Sequence, residues 1–312
     1  MVAGTENTNA NWVWLNGTLL SRDEAKVSAF DAGFQHGVGL FETMHATMTD
    51  VGPRVFRVEQ HLARLKESAS ALQLTEQLRT GALAEAVEHV VEQTGLVTDT
   101  SGARVRLTLT GGDLNLLQRG EAPSMDPTVL IAVTPAVRYP ADMFEKGVLV
   151  TVADAKANPL NLHEGHKTLN YWWRLRELQT AATKGAAEAL VLQVTNHVCG
   201  GAVSNLFAVV NGTLVTPMAR GEESEGDVSS PVLPGITRKA IIEFAASRNI
   251  GCDKRLLAVG DILDADEVFL TNSSWGVLPV RAIEAKTIGA GVPGEMTRSL
   301  REAWLEALKT EP

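Results

Sequence analysis

The stretch HKTLNYWW (residues 166–173) places one lysine, Lys167, beside a run of apolar and aromatic side chains. Burial in such surroundings disfavours the charged ammonium and lowers its pKa, which makes a lysine amine nucleophilic. The same pattern also fits a surface lysine whose stem covers apolar neighbours while its amine stays in water. The stretch alone leaves both interpretations open.

The composition is that of an ordinary globular chain. Its 312 residues carry 28 Lys and Arg against 37 Asp and Glu, which gives a formal charge of −9, and 45% of them are hydrophobic. This length suits either one large domain or two smaller domains that share a site between them, and we expect the second arrangement. The acidic balance argues against a nucleic-acid or anionic-membrane partner. The two cysteines, Cys199 and Cys252, exclude a disulfide framework and a cysteine-based metal cluster.

The first eleven residues are polar and have neither the basic patch nor the apolar segment of a signal peptide. Elsewhere no run approaches the ~20 apolar residues that a membrane helix requires. We therefore expect a cytoplasmic protein.

Hairpin and helix signals divide the chain into two mixed halves. Asn-Gly pairs at residues 16–17 and 211–212 lie between strand-like runs and predict two hairpins. The pattern predicts an N-terminal α/β domain (residues 1–134), an interdomain linker (135–141) that begins at a proline, and a larger C-terminal domain (142–312). Within these, apolar spacing predicts helices at residues 58–72, 75–94, 170–183 and 235–248, and strands at 104–110, 128–134, 148–152, 189–193 and 267–271. Residues 220–230, with the run EESEGD, are expected to form a solvated loop.

Two short motifs are too weak to carry a function. The glycines of GVG (residues 37–39) resemble the start of a dinucleotide loop, but Glu42 stands at the third glycine position, so a tight turn is the better interpretation. His163 and His166 are three residues apart, which is not the spacing of a helical zinc motif, and we expect no metal.

The segment LPGITR (residues 233–238) opens an amphipathic helix. Free backbone N–H groups at such a start, together with the helix dipole, favour an anion. A plain threonine cap at Thr237 explains the same letters equally well.

Taken together and in order, these segments resemble the fold-type IV (class IV aminotransferase) family of pyridoxal 5′-phosphate (PLP) enzymes. That family includes branched-chain and D-amino acid aminotransferases and 4-amino-4-deoxychorismate lyase. The resemblance implies a two-domain α/β (α+β) fold with the cofactor cleft between the domains, and a homodimer. The segments that carry it are WLNG (14–17), HGVGLFET (36–43), FRVEQHLARL (56–65), HKTLNY (166–171), SNLF (204–207), TP (216–217), PGITR (234–238), DEVFL (266–270) and LPV (278–280).

The resemblance implies roles for individual residues. Lys167 would be the Schiff-base lysine, which also moves a proton during the reaction. Arg64 would bind the PLP phosphate together with the helix start formed by Gly235, Ile236 and Thr237. Tyr171 would hydrogen-bond the ring oxygen of PLP. Two further phosphate contacts would come from Ser273 and Ser274.

One position departs from the family pattern. A glutamate normally bonds the pyridine nitrogen of PLP, and Gly200 stands in its place. No acid lies between Glu188 and Glu222, so a shift of alignment does not restore it. Without that carboxylate the ring withdraws electrons less strongly, which predicts that Gly200→Glu raises turnover if electron withdrawal limits the rate. The sequence leaves three explanations open: the protein works with weaker electron withdrawal, a residue from elsewhere in the chain compensates, or catalysis is impaired.

The substrate is less well defined. Arg106, and after it Arg104, lie where the family recognises substrate carboxylates, although both also fit solvent-facing strand positions. Trp275 is a further candidate, because it would line an apolar or aromatic substrate pocket. We expect transfer of an amino group between an amino acid and a 2-oxo acid. The alternative is a 4-amino-4-deoxychorismate lyase that releases pyruvate. The segment around Trp275 resembles the lyases of the family somewhat more than the branched-chain aminotransferases.

Overall fold

The computed structural model describes residues 12–113 and 127–311. The prediction that no leader precedes the domain depends on residues 1–11, which lie outside the described residues. The chain divides into two compact units. The first comprises Met1–Val137, Lys167–Asn170 and Leu308–Pro312, and the second comprises Arg138–His166 and Tyr171–Ala307.

The first unit is built on an antiparallel sheet. Among the described residues its strand order is β2-β1-β6-β5-β3-β4. A hairpin at Asn16-Gly17 joins the first two strands, as the Asn-Gly pair predicts. The strands are β1 (Trp12–Leu15), β2 (Thr18–Ser21), β3 (Gly39–Thr49), β4 (Gly52–Val55), β5 (Ala103–Thr110) and β6 (Val129–Pro135).

Two long helices cover one face of this sheet. They are α2 (Val58–Ala71) and α3 (Thr80–Thr94), and a short α1 (Ala32–His36) precedes β3. Alternate residues of β3 face the helices, so that Leu40, Met44 and Ala46 join the buried core with Leu62 and Leu65 of α2. The opposite face of β3 carries Phe41, Thr43 and His45.

The second unit contains a mixed sheet. Among the described residues the strand order is β12-β11-β10-β13-β14-β7-β8-β9, and β15 pairs with β14. Parallel pairing joins β11 to β12 and β7 to its neighbours β14 and β8. The strands are β7 (Val148–Ala157), β8 (Glu188–Gln193), β9 (Val198–Gly201), β10 (Asn205–Val210), β11 (Thr213–Pro217), β12 (Cys252–Arg255), β13 (Glu267–Asn272), β14 (Gly276–Ile283) and β15 (Lys286–Thr287).

The helices of the rest of the chain are α4 (Asp142–Glu145), α5 (Trp172–Thr183), α6 (Ile236–Ser247), α7 (Val259–Leu263) and α8 (Glu295–Thr310). α5 packs on β7 and β8, whereas α6 packs on β13 and β12. In the described part of the chain no helix is long and apolar enough to cross a membrane.

The structure differs from the sequence-based expectations at one helix start and in one loop, among other places. The helix predicted from residue 75 begins at Thr80, because the hydroxyl of Thr75 accepts the N–H of Gln77 and closes a local turn instead. The loop 220–230 is not fully solvated, since Glu222 and Glu223 are half-buried while residues 224–229 are exposed. Glu222 is drawn inward by the buried Arg238, with which it forms an ion pair of 2.8 Å.

Candidate functional site

Lys167 lies beside the first residues of β3. The N–H of Phe41 donates to the carbonyl oxygen of Lys167 at 2.9 Å, and the N–H of Leu169 donates to that of Gly39 at 2.9 Å. These bonds form an isolated antiparallel bridge and fix the backbone of residues 167–169. The Lys167 side chain is half-buried, and its Nζ lies 4.4 Å from the centroid of the Phe41 ring.

Arg106 reaches the same aromatic ring. Its Cζ lies 3.7 Å from the Phe41 centroid, and Nζ of Lys167 lies 4.4 Å from the same point. The distance between the amine and the guanidinium carbon therefore cannot exceed the sum of these two distances. The register of β3 and β5 places Arg106 opposite Thr43 and Arg104 opposite His45, on one face of the sheet. Arg104 is exposed, whereas Arg106 is half-buried. The structure therefore brings the first of the two predicted carboxylate-binding arginines close to Lys167.

Arg64 belongs to a buried charge cluster. Its Nε donates to Oε1 of Glu42 at 2.9 Å, and its Nη2 donates to Oε2 at 2.5 Å. His61 Nδ1 lies 2.7 Å from the same Oε2. Glu42 is on β3, while His61 and Arg64 lie three residues apart on one face of α2, and all three side chains are buried.

The electrostatics of this cluster favour an ionised Glu42. Burial by itself would raise the pKa of Glu42, but Arg64 and His61 outweigh it and hold the pKa at about 2. Burial lowers the pKa of His61, although the hydrogen bond with Glu42 opposes that shift. A charge-assisted pair with two parallel N–H···O bonds holds the Arg64 guanidinium in one orientation.

Sequence reasoning missed Glu42 and His61. The available signal was the alternation of β3, in which Glu42 falls between the core residues Leu40 and Met44. An acid at a core-facing position requires a buried partner. Positions 61 and 64 of the next helix offer a histidine and an arginine for that purpose.

In the second unit, Tyr171 lies next to the stretch that follows β9. Its hydroxyl donates to the carbonyl oxygen of Ala202 at 3.4 Å, and Nη1 of Arg174 donates to the same oxygen at 3.4 Å. Arg174 also forms an ion pair of 2.8 Å with Glu164. Glu164, which lies between His163 and His166, is therefore paired with an arginine. Among the described residues no group of three or more side chains that could bind a metal ion is found.

Gly200 occupies a backbone conformation that other residues rarely adopt. Its φ is +141°, and a Cβ at this position would lie 2.8 Å from the carbonyl oxygen of Ser204. The structure therefore opposes any side chain here, and the substitution Gly200→Glu would need a backbone shift.

The acid on the neighbouring strand β8, Glu188, already has hydrogen-bond partners. Glu188 is buried, and its carboxylate accepts from the N–H groups of Ala202 and Val203 at 3.2 Å and from Oγ of Ser204 at 2.9 Å. Burial raises the pKa of Glu188, and these hydrogen bonds oppose the shift. Glu188 therefore holds the turn that follows Gly200.

The start of α6 has the features of an anion site. Gly235 is the N-cap and has no side chain with which to satisfy the first N–H groups, which belong to Ile236 and Thr237. A Cβ on Gly235 would collide with Oδ1 of Asn205, whose Nδ2 donates to Leu233 O at 2.8 Å. In addition, Oγ1 of Thr271 is buried and lacks a hydrogen-bond partner among the described residues. Thr271 lies on β13, against which α6 packs. These residues fit a phosphate group.

Ser273 and Ser274 form the turn between β13 and β14. Oδ1 of Asn272 accepts the N–H groups of Ser274 at 2.9 Å and Trp275 at 3.1 Å, and Nδ2 of Asn272 donates to Val203 O at 3.3 Å. Both serines are half-buried, and Asn272 links their turn to the stretch after Gly200. Sequence reasoning assigned no role to Asn272.

Trp275 packs into the core of the second unit. Its ring meets Tyr139 edge to face at 5.8 Å, and 8% of the residue is exposed. By contrast, Trp172, which follows Tyr171, is 83% exposed. The tryptophans near the predicted cofactor residues thus have different surroundings, and a role of Trp275 toward substrate stays a prediction.

Comparison with known proteins identifies the family. The sequence model described as "Amino-transferase class IV" matches residues 39–283. The branched-chain-amino-acid aminotransferase of Escherichia coli K12 is 29% identical over 298 residues, covering 95% of this chain and 92% of that protein. A crystal structure of the E. coli enzyme superposes with a TM-score of 0.85 and 29% identity, covering 97% of this chain and 96% of the other.

Two further structures bear on the chemistry. The T.th. branched-chain amino acid aminotransferase with pyridoxamine 5′-phosphate gives a TM-score of 0.84 at 27% identity, covering 97% of this chain and 95% of the other. The 4-amino-4-deoxychorismate lyase from Pseudomonas aeruginosa gives 0.76 at 29% identity, covering 94% and 98%. The predicted mixed α/β fold of type IV is confirmed by these likenesses. The chain belongs to the class IV aminotransferase family.

Proposed function

We propose that this protein is a PLP-dependent aminotransferase that moves an amino group between an amino acid and a 2-oxo acid. The observation that carries the proposal is the setting of Lys167, a half-buried amine against the Phe41 ring with the Arg106 guanidinium at the same ring. When bound, PLP supplies the electron withdrawal that lets the substrate carbon lose its proton.

Lys167 would hold PLP covalently and carry the proton at Nζ. Its backbone bonds to β3 fix the point from which the side chain extends, and the Phe41 ring covers one side of the amine. A fixed, partly desolvated amine suits both nucleophilic attack and proton transfer.

The phosphate of PLP would be bound by an arginine, an open helix start and a serine turn. Arg64 contributes a guanidinium whose orientation Glu42 fixes. Gly235, Ile236 and Thr237 contribute the open helix start, and the Ser273–Ser274 turn contributes further donors. Tyr171 would donate its hydroxyl to the ring oxygen. These roles stay predictions, as do the domain boundaries 1–134, 135–141 and 142–312 and the predicted cleft.

The position of Arg106 supports a substrate that carries a carboxylate. Its guanidinium lies near the Lys167 amine, where it would pair with a substrate carboxylate and orient the carbon that reacts. Arg104 is exposed on the same face and would contribute less. The likeness to branched-chain aminotransferases supports an apolar amino acid as the substrate.

A homodimer in the cytoplasm completes the proposal. Phe30, just before α1, is 69% exposed, and Phe34, within α1, is 78% exposed. In the second unit Leu160 and Leu162 are 75% and 76% exposed. Large exposed apolar side chains in clusters are typical of surfaces that another chain covers.

The second candidate function is a 4-amino-4-deoxychorismate lyase, which the likeness to the P. aeruginosa enzyme favours. The proposed lysine would serve both reactions. A third possibility, impaired catalysis, rests on the missing acid at Gly200.

A single-turnover experiment separates the three. PLP-loaded protein is mixed with a panel of L- and D-amino acids without an acceptor, and its visible spectrum is followed. An aminotransferase converts its cofactor to the pyridoxamine form with at least one amino acid. In a parallel assay the PLP-loaded protein is mixed with aminodeoxychorismate. Release of pyruvate there, without conversion to the pyridoxamine form with any amino acid, would assign the lyase activity. If neither reaction occurs, catalysis is impaired.

A further inference from the structure

Glu222, in the acidic loop 220–230, is the centre of a polar cluster. Its Oε1 accepts from Nη1 of Arg238 at 3.0 Å and from Nζ of Lys254 at 2.9 Å. Its Oε2 accepts from Nη2 of Arg238 and from the N–H of Ala219, each at 2.8 Å. The bidentate contact with Arg238 fixes the planes of both groups relative to each other.

Arg238 attaches the first turn of α6 to β11. It follows Thr237 directly in the helix and is only 3% exposed. Besides Glu222, its Nη2 donates to Pro217 O at 3.0 Å and its Nε donates to Oγ1 of Thr216 at 3.3 Å. The orientation of the helix start therefore depends on this guanidinium.

The buried guanidinium needs a counter-charge, and Glu222 supplies it. Burial alone would raise the pKa of Glu222, but the hydrogen bonds from Arg238, Ala219 and Lys254 outweigh it and hold the pKa at about 2. Removal of one partner of such a pair leaves an uncompensated charge, so the geometry around Arg238 would change.

The same loop also contacts the segment that precedes Lys167. Nη1 of Arg220 lies 3.5 Å from Glu164 O, and Glu223 accepts the N–H of Ser230, which closes the loop. Oγ of Ser230 donates to Met218 O at 2.7 Å. These contacts hold the loop on both sides of Glu222.

We propose that Glu222 is a positioning residue that, through Arg238, holds the first turn of α6 in the orientation that binds the phosphate of PLP. The inference rests on the proposed function, because it assumes that the N–H groups of Ile236 and Thr237 contact that phosphate. Glu222 itself would touch neither PLP nor the substrate.

The test compares two ligands that differ only in the phosphate. Affinities of full-length wild type, Glu222→Gln and Glu222→Asp for PLP and for pyridoxal are measured by spectroscopic titration. Loss of one well-placed charge-assisted hydrogen bond predicts about tenfold weaker PLP binding by Glu222→Gln. Pyridoxal binding should change by less than about twofold, and Glu222→Asp, which keeps the charge but shortens the reach, should fall between wild type and Glu222→Gln.

The matched control is Glu225→Gln in the exposed part of the same loop, which should bind both ligands as wild type does. Equal losses for PLP and pyridoxal would show a merely structural role and overturn the inference. Tighter PLP binding by Glu222→Gln would overturn it too, because that result follows from the lost negative charge alone. If Glu222→Gln does not fold, an unchanged ratio of the two affinities in Glu222→Asp overturns it. A wild type that binds no PLP would instead refute the proposed function, and this inference with it.

Discussion

The predicted site residues of the two units are held in place by different means. In the first unit, Arg64 is fixed by charged side chains in the core, with Glu42 between Arg64 and His61. In the second unit, where Glu222 and Arg238 also form a charged pair, two positions depend in addition on the absence of a side chain. A Cβ at Gly235 would collide with Asn205, and a Cβ at Gly200, whose φ is +141°, would meet Ser204 O. A charged core fails when one partner is removed, whereas a backbone site fails when a side chain is added. Substitutions at both kinds of position therefore test this difference.

The largest effect is expected at Lys167. Lys167→Ala removes both the nucleophilic amine and the proton carrier, so the half-reaction with an amino acid should slow by about 10⁴-fold. Stopped-flow absorbance measures the rate. The control is Lys184→Ala, which changes the exposed lysine at the end of α5 and should leave the rate unchanged. A Lys167→Ala protein with more than about a tenth of the wild-type rate would contradict the assigned role.

Glu42→Gln should destabilise the fold by about 3–5 kcal/mol, because it leaves Arg64 buried without its counter-charge. Denaturant unfolding monitored by fluorescence measures the free energy. Glu59→Gln on the exposed side of α2 is the matched control and should change it by no more than about 0.5 kcal/mol.

The pH dependence of the same variant sharpens this prediction. The pKa of Glu42 is lowered from 4.5 to about 2 in the folded protein, so its stabilisation is complete above about pH 4.5 and is lost as the pH falls toward 2. Glu42→Gln should therefore flatten the acid limb of stability. An acid limb equal to that of wild type would show that the cluster contributes nothing.

At Gly200 the expected effect is smaller and comes from an added atom. Gly200→Ala should cost about 2–3 kcal/mol of unfolding free energy, since its φ is +141° and the new Cβ meets Ser204 O. Gly212→Ala is the control, because its φ is also positive but the space around it is open, and about 1 kcal/mol is expected. Equal costs would remove the steric part of the argument. Gly200→Glu should be at least as destabilising as Gly200→Ala, which opposes the gain in turnover that the sequence suggested.

The smallest effect is expected at the substrate arginine. Arg106→Gln should lower kcat/KM about tenfold through the loss of one charge-assisted contact with a substrate carboxylate. Arg104→Gln, on the same face but exposed, should lower it less than about twofold. Steady-state kinetics with the amino acid of the panel that reacts fastest measures kcat/KM for both variants. A larger loss for Arg104→Gln would assign the substrate carboxylate to Arg104 instead of Arg106.

Sequence reasoning succeeded where local rules act and failed where distant residues decide. The helix predicted at residues 58–72 is observed as Val58–Ala71, because its apolar stripe is local information. The sequence does not predict β3 as a strand, since Glu42 interrupts its apolar alternation and only its partners on α2, His61 and Arg64, explain that acid. β7 extends beyond the predicted residues 148–152 to Ala157, because it pairs with β8 again after a register shift that the sequence does not reveal.

The same contrast holds for the site. Gly235, Ile236 and Thr237 were found from a short motif, because a helix start is encoded within a few letters. The partner of Arg238 could not be found that way, since Glu222 lies in an irregular loop whose charges look solvated.

The most direct test of the proposed chemistry is the site of cofactor attachment. Wild-type protein loaded with PLP is reduced with borohydride and digested, and its peptides are analysed by mass spectrometry. We expect the mass of reduced PLP on Lys167 alone. A modified peptide that contains another lysine, or no modified peptide from fully folded protein, would contradict the assignment of Lys167.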